Sequence, residues 1–321
     1  MTRKEKQAQI LALADAFDET IRDAFLEAIA KIKSDVVLTK IVAALEIGDV
    51  KGAMGFLSAA SVTVAMGAFH NQLEAALVAG GILEQKNALA QRINFNFSVT
   101  NRPTAEFFNR HKAQWVSYML DDQREMIAQV IRTNVAAGEN PAVTARAIKQ
   151  SIGLTPAQEK YIANANAQLK ALDPAYFGRE LRDARFDRTI RRAIKDQKAL
   201  TTAQIEKITD AYRRRYIAKR ATDIARTESI TMLNAGGDQF WRQAVEQGTV
   251  KSAQLKRFWI PTADGKTRDA HRQIPKLNKD GVGLNEPFRS PLGLIMYAGD
   301  PAASAANRIN CRCTNFTRIE V

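Results

Sequence analysis

The sequence predicts a mainly α-helical protein: an elongated helical body followed by a small C-terminal α+β domain. Three observations carry that prediction. Apolar residues recur every three or four positions along most of the chain as far as Gly248. Gly and Pro interrupt the pattern where helices would start and stop. Beyond Gly248, short runs rich in aromatic and β-branched residues take over. At 321 residues, 45% hydrophobic and 25% charged, the chain can bury more than one core. The expected organisation is an N-terminal helical region over 1–102, a central helical region over 103–215 and the α+β domain over 216–321.

The first helix is read from Phe17, Ile21, Phe25, Ile29 and Ile32, which line one face, with Asp15, Asp18, Glu19, Arg22 and Asp23 elsewhere on its surface. Gly48 and Gly52 end that pattern. A second helical stretch is expected from about Phe56 to Arg92, weakened by Gly67, Gly80 and Gly81. Asn94 to Pro103 reads as an extended connection, with Pro103 biasing Arg102 away from helix. Helical spacing returns from Pro103 to about Ala137, and Gly138-Glu139-Asn140-Pro141 breaks it. A short helix then ends at Gly153. Thr155-Pro156 is a strong new start, with Thr as N-cap and Pro at the first position. The likeness of LTPAQEKYI (154–162) to LTTAQIEKI (200–208) is explained by two similar helix starts. Lys256 to Ile260 and Leu292 to Tyr297 read as strands. Asp264-Gly265 is a turn, Asp300-Pro301 opens a short helix, and INCRCTNFTRIEV forms a terminal strand.

Several function classes recede. Cys311 and Cys313 are the only cysteines, which excludes a disulfide framework and suits a reducing compartment. The N-terminal MTRKEKQAQILALADAF reads as an ordinary helix and not a leader. The most apolar region, Met54 to Leu83, is broken by Gly55, Gly67, His70, Asn71, Gln72 and Glu74, so no membrane span is expected. No P-loop, H-E-x-x-H, G-x-S-x-G or dinucleotide fingerprint is present.

The net charge of +13 points to polyanionic partners. More than half of it lies in 179–226, where 15 Lys or Arg face 7 Asp or Glu. Arg182, Arg185, Arg188, Arg191 and Lys195 fall at helical steps and form one expected stripe, to which Arg192, Arg213, Arg214, Arg215, Lys219 and Arg220 add. Non-specific contact with the phosphates of double-stranded DNA is the expected use. The plainer alternative is a solvated face with ion pairs to the interleaved Glu180, Asp183 and Asp187.

The C-terminal part carries an ordered set of short motifs. They are IARTE at 224–228, then Asn234 and Gly236, FWIPTADGKTRDAHR at 258–272, GDP at 299–301 and NCRC at 310–313. In this order they resemble the Mu F-like family of phage head morphogenesis (minor head) proteins, most closely from about Tyr216 to Thr314. The resemblance implies a low-copy structural component of the virion with no established catalytic activity. It would associate with portal or major capsid protein and the packaged genome, assemble in the host cytoplasm and act in DNA delivery. Arg226, Thr227, Glu228, Asn234, Asp264, Arg268, Asp300 and Asn310 are the expected organising set, with Arg226–Glu228 and Arg268–Asp300 as candidate ion pairs.

Two sharper readings concern His271. In a strand, Cys311 and Cys313 would project to one face. With His271 they would offer three of the four donors of a tetrahedral zinc site, the fourth being Asp264, Asp269, Asp300 or water. The residues alone favour the plainer alternative, two small buried thiols and a hydrogen-bonded imidazole. The other reading, the alternative to a structural role, is a metal-independent nuclease or toxin-like enzyme. It would use His271 as acid/base among Lys266, Arg268, Asp269 and Arg272. His70 and His111, in helical segments, read as structural.

Overall fold

The computed structural model describes residues 1–262 and 264–320, and these are mainly helical with small C-terminal sheets. The helices before the C-terminal part are α1 (Arg3–Ser34), α2 (Leu38–Glu46), α3 (Val50–Ala53), α4 (Ala59–Ala65), α5 (Gly67–Leu89), α6 (Arg102–Ala136), α7 (Pro141–Ser151), α8 (Pro156–Lys170), α9 (Asp187–Lys195) and α10 (Thr202–Glu246). Then follow β1 (Leu255–Ile260), α11 (Asp269–Leu277), β2 (Phe288–Ser290), β3 (Gly293–Ile295), α12 (Ala305–Arg308) and β4 (Thr314–Ile319). β1 pairs antiparallel with β4, Leu255 opposite Ile319 and Ile260 opposite Thr314, and β2 pairs with β3. No helix of the described residues is long and apolar enough to cross a membrane.

The chain divides into two compact units, where the sequence was read as three consecutive regions. One unit comprises Met1–Phe25, Ala68–Ala113 and Ala221–Val321; the other comprises Leu26–Gly67 and Gln114–Arg220. The reason is where apolar partners lie. In the first unit Ile10 and Ala14 of α1 bury against Leu83 of α5 and Ile230 and Leu233 of α10. A second cluster joins Ala88, Phe95, Phe240, Trp241, Ala244, Val250, Leu255 and Leu284. Neither cluster follows chain order.

α5 and α10 approach closely because glycines face backbone. A Cβ on Gly80 would lie 2.0 Å from the Leu233 carbonyl oxygen, and one on Gly236 would lie 2.0 Å from that of Leu77. Beside this contact sits a buried polar cluster. Glu84 accepts from Trp241 Nε1 and Asn87 Nδ2, each at 2.8 Å, and pairs with Lys6. A buried carboxylate tolerates this setting because it is both ion-paired and hydrogen-bonded.

In the second unit, α2 packs on α7, and Gly153 takes φ +94 beside Ile29. Gln123 fixes that turn by donating to the Leu154 carbonyl and accepting from Gly153 N. The Thr155-Pro156 start is present as read: Thr155 Oγ1 accepts from Gln158 N, and Gln158 Oε1 accepts from Thr155 N.

Three local expectations are corrected. α6 begins at Arg102 despite Pro103, because a proline in the first turn forfeits only an N–H that has no helical partner anyway. Asp300-Pro301 makes a turn, with Asp300 Oδ1 accepting from Ala302 N, and helix α12 starts only at Ala305. Cys311 and Cys313 precede β4 instead of lying within a strand.

Candidate functional site

The motif stretches of the C-terminal part meet in the first unit. α10 is their scaffold. Thr227 Oγ1 accepts from Asn310 N at 3.0 Å, and Asn310 holds the left-handed φ of +56 that this turn requires. Asn310 Nδ2 donates to Asp223. One helical turn further along, Thr231 Oγ1 donates to the Gly299 carbonyl at 2.8 Å. Asn234 then bridges α10 to the chain end: its Nδ2 donates to the Cys313 carbonyl, and its Oδ1 accepts from Thr314 Oγ1 at 2.6 Å. These side chains are spaced so that one face of α10 carries Thr227, Thr231 and Asn234.

Both expected ion pairs are corrected. Arg226 and Glu228 are two apart on α10, a spacing that turns them to different faces. Glu228 is buried and meets His111 Nε2 at 2.8 Å, while Arg226 lines a cavity. Arg268 donates to the Ile309 carbonyl, whereas Asp300 accepts from Met296 N at 3.0 Å and from Ala302 N. His70 is buried, and desolvation pushes its pKa down to about 4, which keeps the imidazole neutral.

His271, Cys311 and Cys313 form one buried cluster, their donor atoms all within 4.8 Å of one another. The thiols converge through a tight turn and not through strand alternation. Cys311 N donates to the Arg308 carbonyl, and Cys313 N points at Cys311 Sγ at 3.4 Å. His271 comes from the first turn of α11, a helix the sequence reading did not assign. Its Nδ1 lies 3.5 Å from each sulfur. Its Nε2 faces Asn307 Oδ1 at 3.3 Å, and Asn307 is oriented because its Nδ2 donates to the Leu292 carbonyl. Nε2 is thereby placed to donate to Asn307, and Nδ1 faces the sulfurs.

The cluster can hold a metal ion. A tetrahedron with bonds of about 2.0 Å to nitrogen and about 2.3 Å to sulfur has an N···S edge of about 3.5 Å. Both N···S distances match that edge. The thiols already differ in acidity. Donation from Cys311, supported by His271, brings Cys313 down to about 5, and the same contact together with burial pushes Cys311 well above the usual thiol value. Trp259, Ile274, Phe288 and Ile295 enclose the cluster on its apolar side. No carboxylate among the described residues joins it. Asp264 accepts from Thr267 Oγ1 and Lys266 N, and Asp269 is exposed. His271 is buried, with its two ring nitrogens facing Asn307 and the two thiols.

The basic segment as far as Arg220 lies in the second unit, and its expected single stripe is not formed. Pro174–Gly178 and Ala184–Phe186 are 3-10 turns, opened by Asp173 and Asp183, so the α-helix begins only at Asp187. Arg182 pairs with Asp187; Arg185 and Arg215 both pair with Asp183, and the Arg185 hydrogen bonds hold that carboxyl down at about 2. Arg192 pairs with Asp196 and Arg213 with Asp210. Arg220 is buried, paired with Asp122 at 2.5 Å and donating to the Gly153 carbonyl, so it is unavailable to DNA. Arg188, Arg191, Lys195, Arg214 and Lys219 are exposed, and the Arg191 guanidinium lies 4.3 Å from the Phe177 ring centroid.

Sequence reading missed Arg257 and Asp238. Arg257, 1% exposed, donates to the carbonyls of Gly283, Glu286 and Met296 and to Asp238. A single buried guanidinium thus ties three loop carbonyls to β1 and α10. Its sequence signal is slight: it is one of two adjacent basic residues in the short strand LKRFWI. Comparison with known protein families, with curated proteins and with solved structures found no match for this chain.

Proposed function

We propose that this chain is a phage minor head protein of the Mu F-like type, a structural and non-enzymatic virion component. It resides inside the head near the portal, with portal or major capsid protein as its neighbour and packaged DNA as its second partner. The observation that carries the reading is the convergence of the ordered motifs: Thr227, Thr231, Asn234, Gly299, Asn310 and Cys313 are joined by direct hydrogen bonds. The 258–272 motif joins them through His271 at the two thiols, and motifs that build one centre weigh more than motifs that merely share an order, because function must be argued from a site. Its test is whether purified particles carry the chain.

Zinc is the metal proposed for His271, Cys311 and Cys313. Two thiolates and an imidazole are the donor types that favour it over harder cations. It would join α11 to the 311–313 turn.

DNA contact is assigned to the exposed cations of the second unit, Arg188, Arg191, Lys195 and Arg214, acting on phosphates without base reading. The triple variant Arg188→Glu, Arg191→Glu, Lys195→Glu should bind a double-stranded DNA fragment far more weakly than the parent. Its plot of log affinity against log salt should lose about 2–3 from its slope, roughly 0.9 for each phosphate contact removed. Arg185→Glu should matter less, since Asp183 already engages that side chain. Equal binding by the triple variant would overturn the DNA contact and turn the positive charge toward acidic protein surfaces.

A further inference from the structure

The candidate metal cluster lines a cavity of about 400 Å³ whose other walls carry four cationic side chains. They are Arg226, Lys266, Arg268 and Arg312, against the carboxylates of Asp223 and Asp264. Arg312 is committed to Asp15 and Asp18, which leaves Arg226, Lys266 and Arg268 as the cations around the opening. Three protein donors satisfy three corners of a tetrahedron. The fourth corner has no protein carboxylate to fill it, because none among the described residues joins the cluster.

We infer that the metal centre is an open one: the ion is held by His271 Nδ1, Cys311 Sγ and Cys313 Sγ, and its fourth position faces the basic cavity, where it takes the oxygen of an acidic ligand, a phosphate or a carboxylate. Water occupies the position when no such ligand is bound. This rests on the zinc reading proposed above and adds the open position to it. Binding is balanced as follows: the divalent ion enters, whatever protons the two thiols still carry leave to solvent, and His271 ligates as the neutral imidazole, keeping its Nε2 proton and donating it to Asn307 Oδ1. The two thiolates cancel the charge of the ion, so attraction for an anion comes from the cations at the opening as well as from the metal. Phosphate and carboxylate oxygens share this chemistry, since both offer a hard anionic donor to the metal and acceptors to Arg226 and Arg268. Three protein ligands with an exchangeable fourth is the arrangement that distinguishes an open zinc site from a closed structural one.

Cobalt(II) makes the geometry visible. The full-length chain, stripped of metal and titrated with cobalt, should take up one equivalent and develop thiolate-to-cobalt charge-transfer absorption together with intense tetrahedral d–d bands. Cys313→Ser should weaken the charge-transfer band, and circular dichroism of that variant shows whether it has kept its helical fold. If Cys313→Ser does not fold, the milder His271→Gln variant provides the same control. Inorganic phosphate or acetate, added to the cobalt form, should shift the d–d bands saturably. A shift with phosphate alone assigns the ligand to the phosphate class, and one with acetate alone assigns it to the carboxylate class. The Arg226→Gln, Arg268→Gln double variant should retain the charge-transfer band and need several-fold more anion for the same shift. Cobalt uptake with d–d bands indifferent to both anions would overturn the open position and leave the zinc reading standing. Failure to take up either zinc or cobalt would overturn both.

Discussion

Gly236→Ala and Gly80→Ala should each unfold or severely destabilise the first unit, by about 3 kcal/mol or more. The new methyl would sit 2.0 Å from a carbonyl oxygen of the facing helix, and backbone cannot rotate aside as a side chain can. Relief requires α5 and α10 to separate. That separation would loosen the packing of Leu83 against Ile230 and Leu233 and the Glu84 bond to Trp241 Nε1. Alanine's better helix propensity contributes only about 1 kcal/mol in the opposite direction, so the clash wins. Gly67→Ala is the matched control, because a Cβ there meets nothing within 4 Å. Thermal unfolding followed by circular dichroism should show a large fall in Tm for the first two variants and none for the third. Equal or raised Tm for Gly236→Ala would mean that the two helices do not approach as described.

Arg257→Met should cost about 3–4 kcal/mol, although it preserves much of the side chain's volume. The variant leaves the part-buried carbonyls of Gly283, Glu286 and Met296 without this donor and removes one of the two cations on Asp238. The other, Arg242, remains within 2.6 Å, which moderates the loss on the carboxylate but does nothing for the carbonyls. Arg257→Lys should recover little, since an ammonium lacks the planar fork that reaches several acceptors at once. Urea unfolding midpoints measure the difference. A change under about 1 kcal/mol for Arg257→Met would show that the guanidinium is not what fixes these loops.

The helices were legible in the sequence wherever a single apolar face or a strong cap announced them. Ile21, Phe25, Ile29 and Ile32 are buried as their spacing required, and Thr155-Pro156 opens α8 with a reciprocal cap. Legibility failed where local and distant signals compete. α11 is short, polar at its start and interrupted by Pro275, so nothing in TRDAHR suggested a helix. The basic stripe looked continuous because charge spacing alone cannot reveal that Asp173 and Asp183 cap 3-10 turns and break the helix. Within the candidate centre the residue types were readable but the geometry was not. Cys311 and Cys313 were expected to converge by strand alternation, and they converge instead through a turn whose key, Asn310 at positive φ, depends on Thr227 of α10. Arg257 and His111 find their partners far along the chain, at Met296 and Glu228, and no periodicity encodes such pairings.

The central proposal, a minor head protein near the portal, is met most directly by the composition of particles. Mass spectrometry of purified phage particles, and of the same particles emptied of DNA, would quantify this chain against the major capsid protein. The expected result is a few copies in each full particle; loss on emptying would mark a protein that leaves with the genome, and retention would mark a fixed connector. Complete absence from full particles would contradict the proposal.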